Sequence, residues 1–334
     1  VIIGSLSARR WRTIAVASGL ALSLLLGLSA GHQWYSLPSI FRALGGSDTL
    51  DAALLLEWRA PRVLTAAVVG SLLGACGAVF QGVFRNPLAE PYLLGTAGGG
   101  ALGAALALLV PLGLPGFLSL LGFSFLGAWG ATLIVLLIAR TAGRTDPVAL
   151  LLAGVTVAAM LQALRSGLML ALSDDNISLQ TILSWTLGGI QTPSWGGLLM
   201  LALLAAGLNF SLHRFSSGLD RLGLGDDYSA TLGIDPANFI RRVVLVAAMA
   251  VAVAVAWGGL VAFVGLMAPH VARWAVGPLH ARVIPASAVV GAMVTVLCDA
   301  IARAALPPGE IPLGLITAIV GGPFFLVILM RHYR

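Results

Sequence analysis

The sequence predicts an all-helical membrane protein that crosses the bilayer about ten times. Three observations predict it. Of the 334 residues 59% are hydrophobic and only 10% charged, where a soluble domain carries about 25% charged residues. The apolar residues gather into long runs without a charge. The nineteen cationic side chains, every one an arginine, fall almost entirely between those runs. With a mean hydropathy of +0.99, the chain lacks the polar surface that a water-soluble globule needs. An ordinary cytosolic enzyme, a disordered chain and a disulfide scaffold are all excluded.

The charge-free runs cover residues 13–41, 63–84, 91–139, 147–164, 176–212, 243–272, 283–298 and 311–330. A crossing takes about 20 apolar residues, so the longer runs hold more than one. Arg9, Arg10 and Arg12 precede the first run, which reads as a retained helix. It is longer than the apolar part of a leader peptide, and Leu28 stands where a cleavage site needs a small residue. Within 91–139, Pro111, Gly113, Pro115 and Gly116 separate two helices. Within 243–272, Trp257-Gly258-Gly259 breaks a helix, and Pro269 is expected to end the next.

With both ends inside, fourteen arginines lie in inner loops and four outside: Arg42, Arg59, Arg62 and Arg303. That is a strong positive-inside bias. The net charge of +6 therefore reports membrane topology rather than nucleic-acid binding. It also leaves the four outer arginines as exceptions that need a reason.

Five segments carry further information. Arg85-Asn86-Pro87-Leu88-Ala89-Glu90-Pro91 cannot be lipid-facing helix, since irregular backbone at membrane depth survives only inside protein or beside a water-filled cavity. Gly95, Gly99 and Gly103 recur every four residues and predict one smooth face for close helix packing. In the inner loop 213–242, Asp226 is expected to begin a short helix reaching Leu232, with Gly233 as its stop. Asp235-Pro236 restarts a helix, so the loop presents two short helices as a docking surface or is simply solvated. Ala158, Gln162, Arg165, Ser166 and Met169 share one helix face, a polar stripe facing protein or a watery path. Alternatively Arg165, roughly 27 Å along the helix from Pro147, snorkels to the outer interface. Asp299 and Arg303, four apart, are placed to pair across one helical turn ahead of Glu310-Ile311-Pro312-Leu313-Gly314.

Several chemistries are missing. With no lysine there is no P-loop. Cys76 and Cys298 form neither a disulfide framework nor a zinc set. Asp174-Asp175-Asn176 reads as polar turn chemistry rather than a metal site. No residue set calls for a cofactor. An ion-coupled secondary transporter is the alternative class, but such proteins place carboxylates within helices, whereas here the acids lie in loops or at helix ends.

Taken together, these segments resemble the FecCD-type permease subunits of type II ABC importers, which take up ferric siderophores, haem and vitamin B12. The residues that carry the resemblance are Arg59-Ala60-Pro61-Arg62, Gln81, the run from Arg85 to Gly95, Leu150 to Gly154, Trp185 to Gly189, Leu224-Gly225 through Leu232-Gly233, Phe263 to His270, and Glu310 to Gly314. The resemblance spans nearly the whole chain and implies a single permease domain over residues 1–334 with the type II importer fold. It implies a homodimer with the pathway on its two-fold axis, two separate ATP-binding subunits and a substrate-binding protein, set in a bacterial cytoplasmic membrane. Catalysis would belong to the ATP-binding subunits.

Residue by residue, the resemblance gives Arg59, Arg62 and Arg303 the docking of the binding protein. It gives Leu224, Gly225, Asp226, Ala230, Leu232 and Gly233 the coupling to the ATPase, and Asp146, Pro147 and Val148 the inner gate. Gln162, Arg165, Ser166 and Met169 stand as the candidate pathway lining. Iron chelate is the first expected cargo, followed by corrinoid and haem.

Overall fold

The chain begins with a 28-residue helix, α1 (Ile2–Ser29). The computed structural model describes residues 2–31, 33–46, 49–110, 113, 115–141, 147–172, 179–307 and 309–332. Two short helices follow, α2 (Leu37–Leu44) and α3 (Leu50–Ala53), capped by the side chains of Ser36 and Thr49. A π-helical turn over Leu54–Arg59 leads into α4 (Ala60–Val83). The wide turn falls where Pro61 has no N–H to offer an α-helical ladder, and Ala60 N instead reaches back to Leu55 O.

After a 3₁₀ turn at Pro91–Leu94 come α5 (Thr96–Leu109), α6 (Gly116–Thr141), α7 (Pro147–Leu172), α8 (Leu179–Thr186) and α9 (Trp195–Arg214). Then follow α10 (Ser216–Leu222), α11 (Asp226–Thr231), α12 (Pro236–Gly258), α13 (Val264–Val276), α14 (His280–Ala304) and α15 (Leu313–His332). Ten of these helices have 13 residues or more. Among the described residues six stretches are long and apolar enough to cross a membrane, and Ser18–Ser29, Thr96–Leu109 and Leu313–Ile328 are shorter apolar helices. The chain is a multi-pass membrane protein.

Helix α4 is the buried axis. It packs against α14, α12, α13 and α9, and Leu72, Leu73 and Phe80 are wholly enclosed. Lipid and helix surface are equally apolar, so helices associate here through close packing. On the α4–α14 crossing a Cβ added to Gly70 would lie 2.3 Å from the Gly291 carbonyl oxygen. The pair α5–α6 meets the same way: a Cβ on Gly99 would lie 2.1 Å from Gly127 O, and one on Gly103 1.9 Å from Phe123 O.

Three expectations change. Gly95 is not inside the helix but its left-handed N-cap, with φ 78°, a conformation that turns the chain from the 3₁₀ segment into α5; a Cβ there would meet Ala131 of α6 only at 3.7 Å. Pro269 does not end its helix, since α13 runs on to Val276. The carbonyl that Pro269 leaves without a helical donor, Gly265 O, faces Gly77, where a Cβ would lie 1.8 Å away. The two short helices of the inner loop are α10 and α11; Asp235-Pro236 instead opens the full-length α12, with Asp235 capping Asn238 N.

Gly99→Leu should therefore force α5 and α6 apart. Overpacking costs about 1–3 kcal/mol in a soluble core, and the backbone contact here puts the change at or above that range. Melting temperature and particle size in detergent measure it. A variant matching the wild type in both would show that the close approach is dispensable.

Candidate functional site

Helix α4 carries Arg59 and Arg62 at one end and Arg85 beyond the other, and about 1.5 Å per residue separates the two clusters by the thickness of a bilayer core. At the outer end Asp299 of α14 is shared by two guanidiniums. Its Oδ1 accepts from Arg62 Nε at 3.1 Å and its Oδ2 from Arg303 Nε at 2.8 Å. The Asp299 side chain is 1% exposed and that of Arg303 6%. The expected Asp299–Arg303 pair is present, with Arg62 added from a helix more than two hundred residues away.

Arg303 turns Nη1 to Ala30 O at 2.6 Å and Nη2 to Gly27 O at 2.7 Å. Arg59 donates through Nη1 to Leu28 O and Ser29 O, and through Nη2 to Gln33 O at 3.1 Å. Its guanidinium also lies 4.5 Å from the centre of the Tyr35 ring. The carbonyls of residues 27–30 are ones a helix C-terminus leaves without helical donors, and the cations meet the negative end of the α1 dipole. Two of the outer arginines thus have a structural reason for their place: they cap α1. Arg62 is 20% exposed and holds exposed Glu310 through Nη1 at 2.8 Å. Arg303, expected on a docking surface, is buried with its donors spent inside the chain.

At the inner end Arg85, in the left-handed region with φ 49°, pairs with Asp226 of α11. Asp220 of α10 accepts from His280 N at 3.1 Å and lies 2.6 Å from His280 Nδ1. Arg273 Nη1 donates to Gln81 Oε1 at 2.5 Å, linking α13 to α4. The Arg85–Asp226 and Asp220–His280 contacts fasten α11 and α10 to the membrane helices. On α11 and its flanks, Leu224, Asp226, Ala230, Leu232 and Gly233 are exposed and Gly225 half-exposed. Leu224, Tyr228 and Leu232 form an apolar stripe, with Tyr228 70% exposed. Beyond it Asp235, accepting from the backbone and side-chain N–H groups of Asn238, is held below the usual carboxylate range.

Between the two ends the irregular segments bond one another. Glu90 Oε1 accepts from Phe263 N at 2.8 Å. The Tyr92 hydroxyl donates to Val261 O and accepts from Val261 N. Gly189 N and Gln191 N donate to Gly258 O and Trp257 O, and Leu313 N donates to Gly188 O. The sequence located these breaks but not their partners. A glutamate set between prolines was the signal, and nothing in the chain names Phe263 as its donor.

Helix α7 begins at Pro147, with Val148 exposed; Asp146 lies outside the described residues. Gln162 and Ser166 are exposed, while Met169 packs against a small cluster of Ala105 and Leu109 from α5 and Ile182 from α8. Arg165 is half-buried and donates through Nη1 to Thr186 Oγ1 at 3.4 Å. The structure thus turns Arg165 toward α8 and Met169 toward the protein interior, and leaves Gln162 and Ser166 open. Among the described residues no group of His, Cys, Asp and Glu is arranged to hold a metal ion.

Residues 19–331 match the FecCD transport family. The chain is 34% identical over 320 residues to the hemin transport system permease protein HmuU of Yersinia pestis, covering 94% of this chain and 95% of that one. It is 35% identical over 330 residues to the vitamin B12 import system permease protein BtuC of Vibrio cholerae, covering 97% and 96%. A solved chain described as a metal-chelate type ABC transporter in an inward-facing conformation superposes with a TM-score of 0.83 at 29% identity, covering 97% of this chain and 99% of that one.

The shared carboxylate sets an expectation for stability. Asp299→Ala leaves two guanidiniums facing each other in a buried site and should cost about 3–5 kcal/mol. Glu310→Ala removes an exposed partner and should cost less than about 1 kcal/mol. Thermal melts of the two variants in the same detergent test the contrast; equal losses would show that Asp299 is not the anchor.

Proposed function

Because this chain belongs to the FecCD transport family, we propose that it is the permease subunit of an ABC importer. It acts as a homodimer, driven by ATP hydrolysis in two separate subunits on its inner face and fed by a substrate-binding protein on its outer face. The observation that carries the reading is the end-to-end match to chains named as permeases of such systems. The exposed stripe on α11, anchored to α4 through Arg85 and Asp226, supports it as a place for the ATPase to grip. The cargo is a metal chelate of the iron siderophore kind, with haem and corrinoid as the neighbouring choices, and the membrane is the bacterial cytoplasmic one.

In this reading Arg59 and Arg62 meet carboxylates of the binding protein, and Arg303 holds them from behind through Asp299 and the end of α1. The open face of α7, with Gln162 and Ser166, borders the cargo path on the dimer axis, and Pro147 and Val148 stand at its inner gate together with Asp146. Leu224, Gly225, Asp226, Ala230, Leu232 and Gly233 pass the ATPase movement to the membrane helices.

Two outcomes test this. Ala230→Pro breaks α11, at a cost of about 3 kcal/mol or more; it should abolish cargo uptake in vesicles holding the ATPase and binding protein while the permease still assembles. Normal uptake by an assembled variant would remove α11 from the coupling route. Arg62→Glu should weaken binding-protein affinity and flatten its salt dependence, because rim charges act on association rate and screening. Equal affinity and salt slope in the two proteins would confine Arg62 to the local fold.

A further inference from the structure

Helices α6 and α12 pack side by side, α6 ending and α12 beginning at the inner surface. Between them runs a groove of about 310 Å³. Its deep part is apolar: Leu133 and Leu137 from α6 and Leu245 from α12. Its inner rim is cationic, formed by Arg140 in the last turn of α6 and Arg241 near the start of α12. Both guanidiniums are exposed. Among the described residues neither has an ion-pair partner. Arg241 spends one donor on Asn238 Oδ1 at 2.9 Å, which turns its guanidinium along the rim. The nearby carboxylate, Asp235, is occupied with the N–H groups of Asn238 as the cap of α12.

The spacing along the helices matches a particular shape of ligand. Leu133 lies seven residues from Arg140 and Leu245 four from Arg241, roughly 10 Å and 6 Å deeper into the membrane. Leu133 and Leu137 stay open, the latter 62% exposed, so the wall meets hydrocarbon rather than another helix of this chain. A molecule that fits has an anionic head at the level of the two arginines and an apolar tail lying against the leucines.

We propose that this groove is a binding site for an anionic phospholipid of the inner leaflet, its phosphate held by Arg140 and Arg241 and one acyl chain seated against Leu133, Leu137 and Leu245. Basic pockets between membrane helices on the cytoplasmic side take such head groups through charge, and guanidinium forks fit phosphate oxygens in pairs. The site opens at the start of α12, directly after the α10–α11 loop, so a seated lipid braces the helix through which that loop joins the membrane.

The test is native mass spectrometry on the purified, delipidated transporter, titrated with phosphatidylglycerol, with phosphatidylcholine of the same acyl chains, and with glycerol phosphate. Two guanidiniums at a membrane surface give an expected preference for phosphatidylglycerol of about 30-fold at low salt. Arg140→Gln with Arg241→Gln should bring phosphatidylglycerol down to the phosphatidylcholine level, while Arg140→Lys with Arg241→Lys, which keeps the charge but not the fork, should retain only part of the preference. Melting temperatures of both double variants separate lost binding from lost fold. Equal binding of the two lipids, or a preference that survives in the glutamine variant, would overturn the site. Glycerol phosphate binding as well as the lipid would make it a free-anion site and also overturn the proposal. Displacement of the lipid on assembly with the ATP-binding subunits would assign the groove to a subunit contact and overturn it likewise.

Discussion

A bilayer offers no water to a backbone that leaves its helix, and the rest of this fold follows from that constraint. The chain leaves helical geometry around residues 84–95, 187–193, 258–263 and 309–312. Each break exposes N–H and C=O groups that would cost several kcal/mol apiece in hydrocarbon. The structure satisfies them by bringing the breaks together, so that Gly188, Gly189 and Gln191 bond to Trp257, Gly258 and Leu313, and Glu90 and Tyr92 reach Val261 and Phe263. Broken helices are what let a membrane protein hold a polar path at its centre, and mutual bonding is the condition for having them.

The same reasoning explains the charges. An arginine outside the positive-inside pattern needs a partner, and here three arginines are organised by one buried carboxylate and the bare end of a helix. Asp299 orients Arg62 and Arg303, while Arg303 and Arg59 finish the C-terminus of α1. Arg62 is half-buried between Asp299 and exposed Glu310, while half-buried Arg59 bonds only carbonyls and has no carboxylate partner among the described residues. Pairing with a carboxylate and capping of a helix end are thus divided among neighbouring arginines of the same type.

Much of this was legible in the sequence because it depends on local rules. Apolar runs gave the crossings, the Pro111–Gly116 stretch gave the α5–α6 boundary, Gly233 gave the end of α11, and the four-residue spacing gave the Asp299–Arg303 pair. The misreadings share one cause, which is that tertiary contacts override local punctuation. Pro269 does not break α13, because the close packing at Gly77 lets the helix keep its course. Gly95 was counted by its spacing, whereas its left-handed φ, set by the preceding 3₁₀ turn, decides its role. The partners of Glu90, Gln81 and Asp220 lie sixty or more residues away, and no periodicity points across that separation.

The capping of α1 by Arg303 bears on the order in which the protein is made. A ribosome delivers α1 first and α14 near the end, 273 residues separating Ala30 from the guanidinium that holds its carbonyl. Until α14 is made, the Gly27 and Ala30 carbonyls at the C-terminus of α1 therefore lack the donors they have in the finished protein. Arg59 is made early enough to reach Leu28 O and Ser29 O, but Gly27 O and Ala30 O are closed only when α14 has been threaded in and has brought Arg303 alongside. A chain that stalls before α14 carries α1 with two terminal carbonyls unfilled, so the finishing of this helix depends on a residue made 273 positions later.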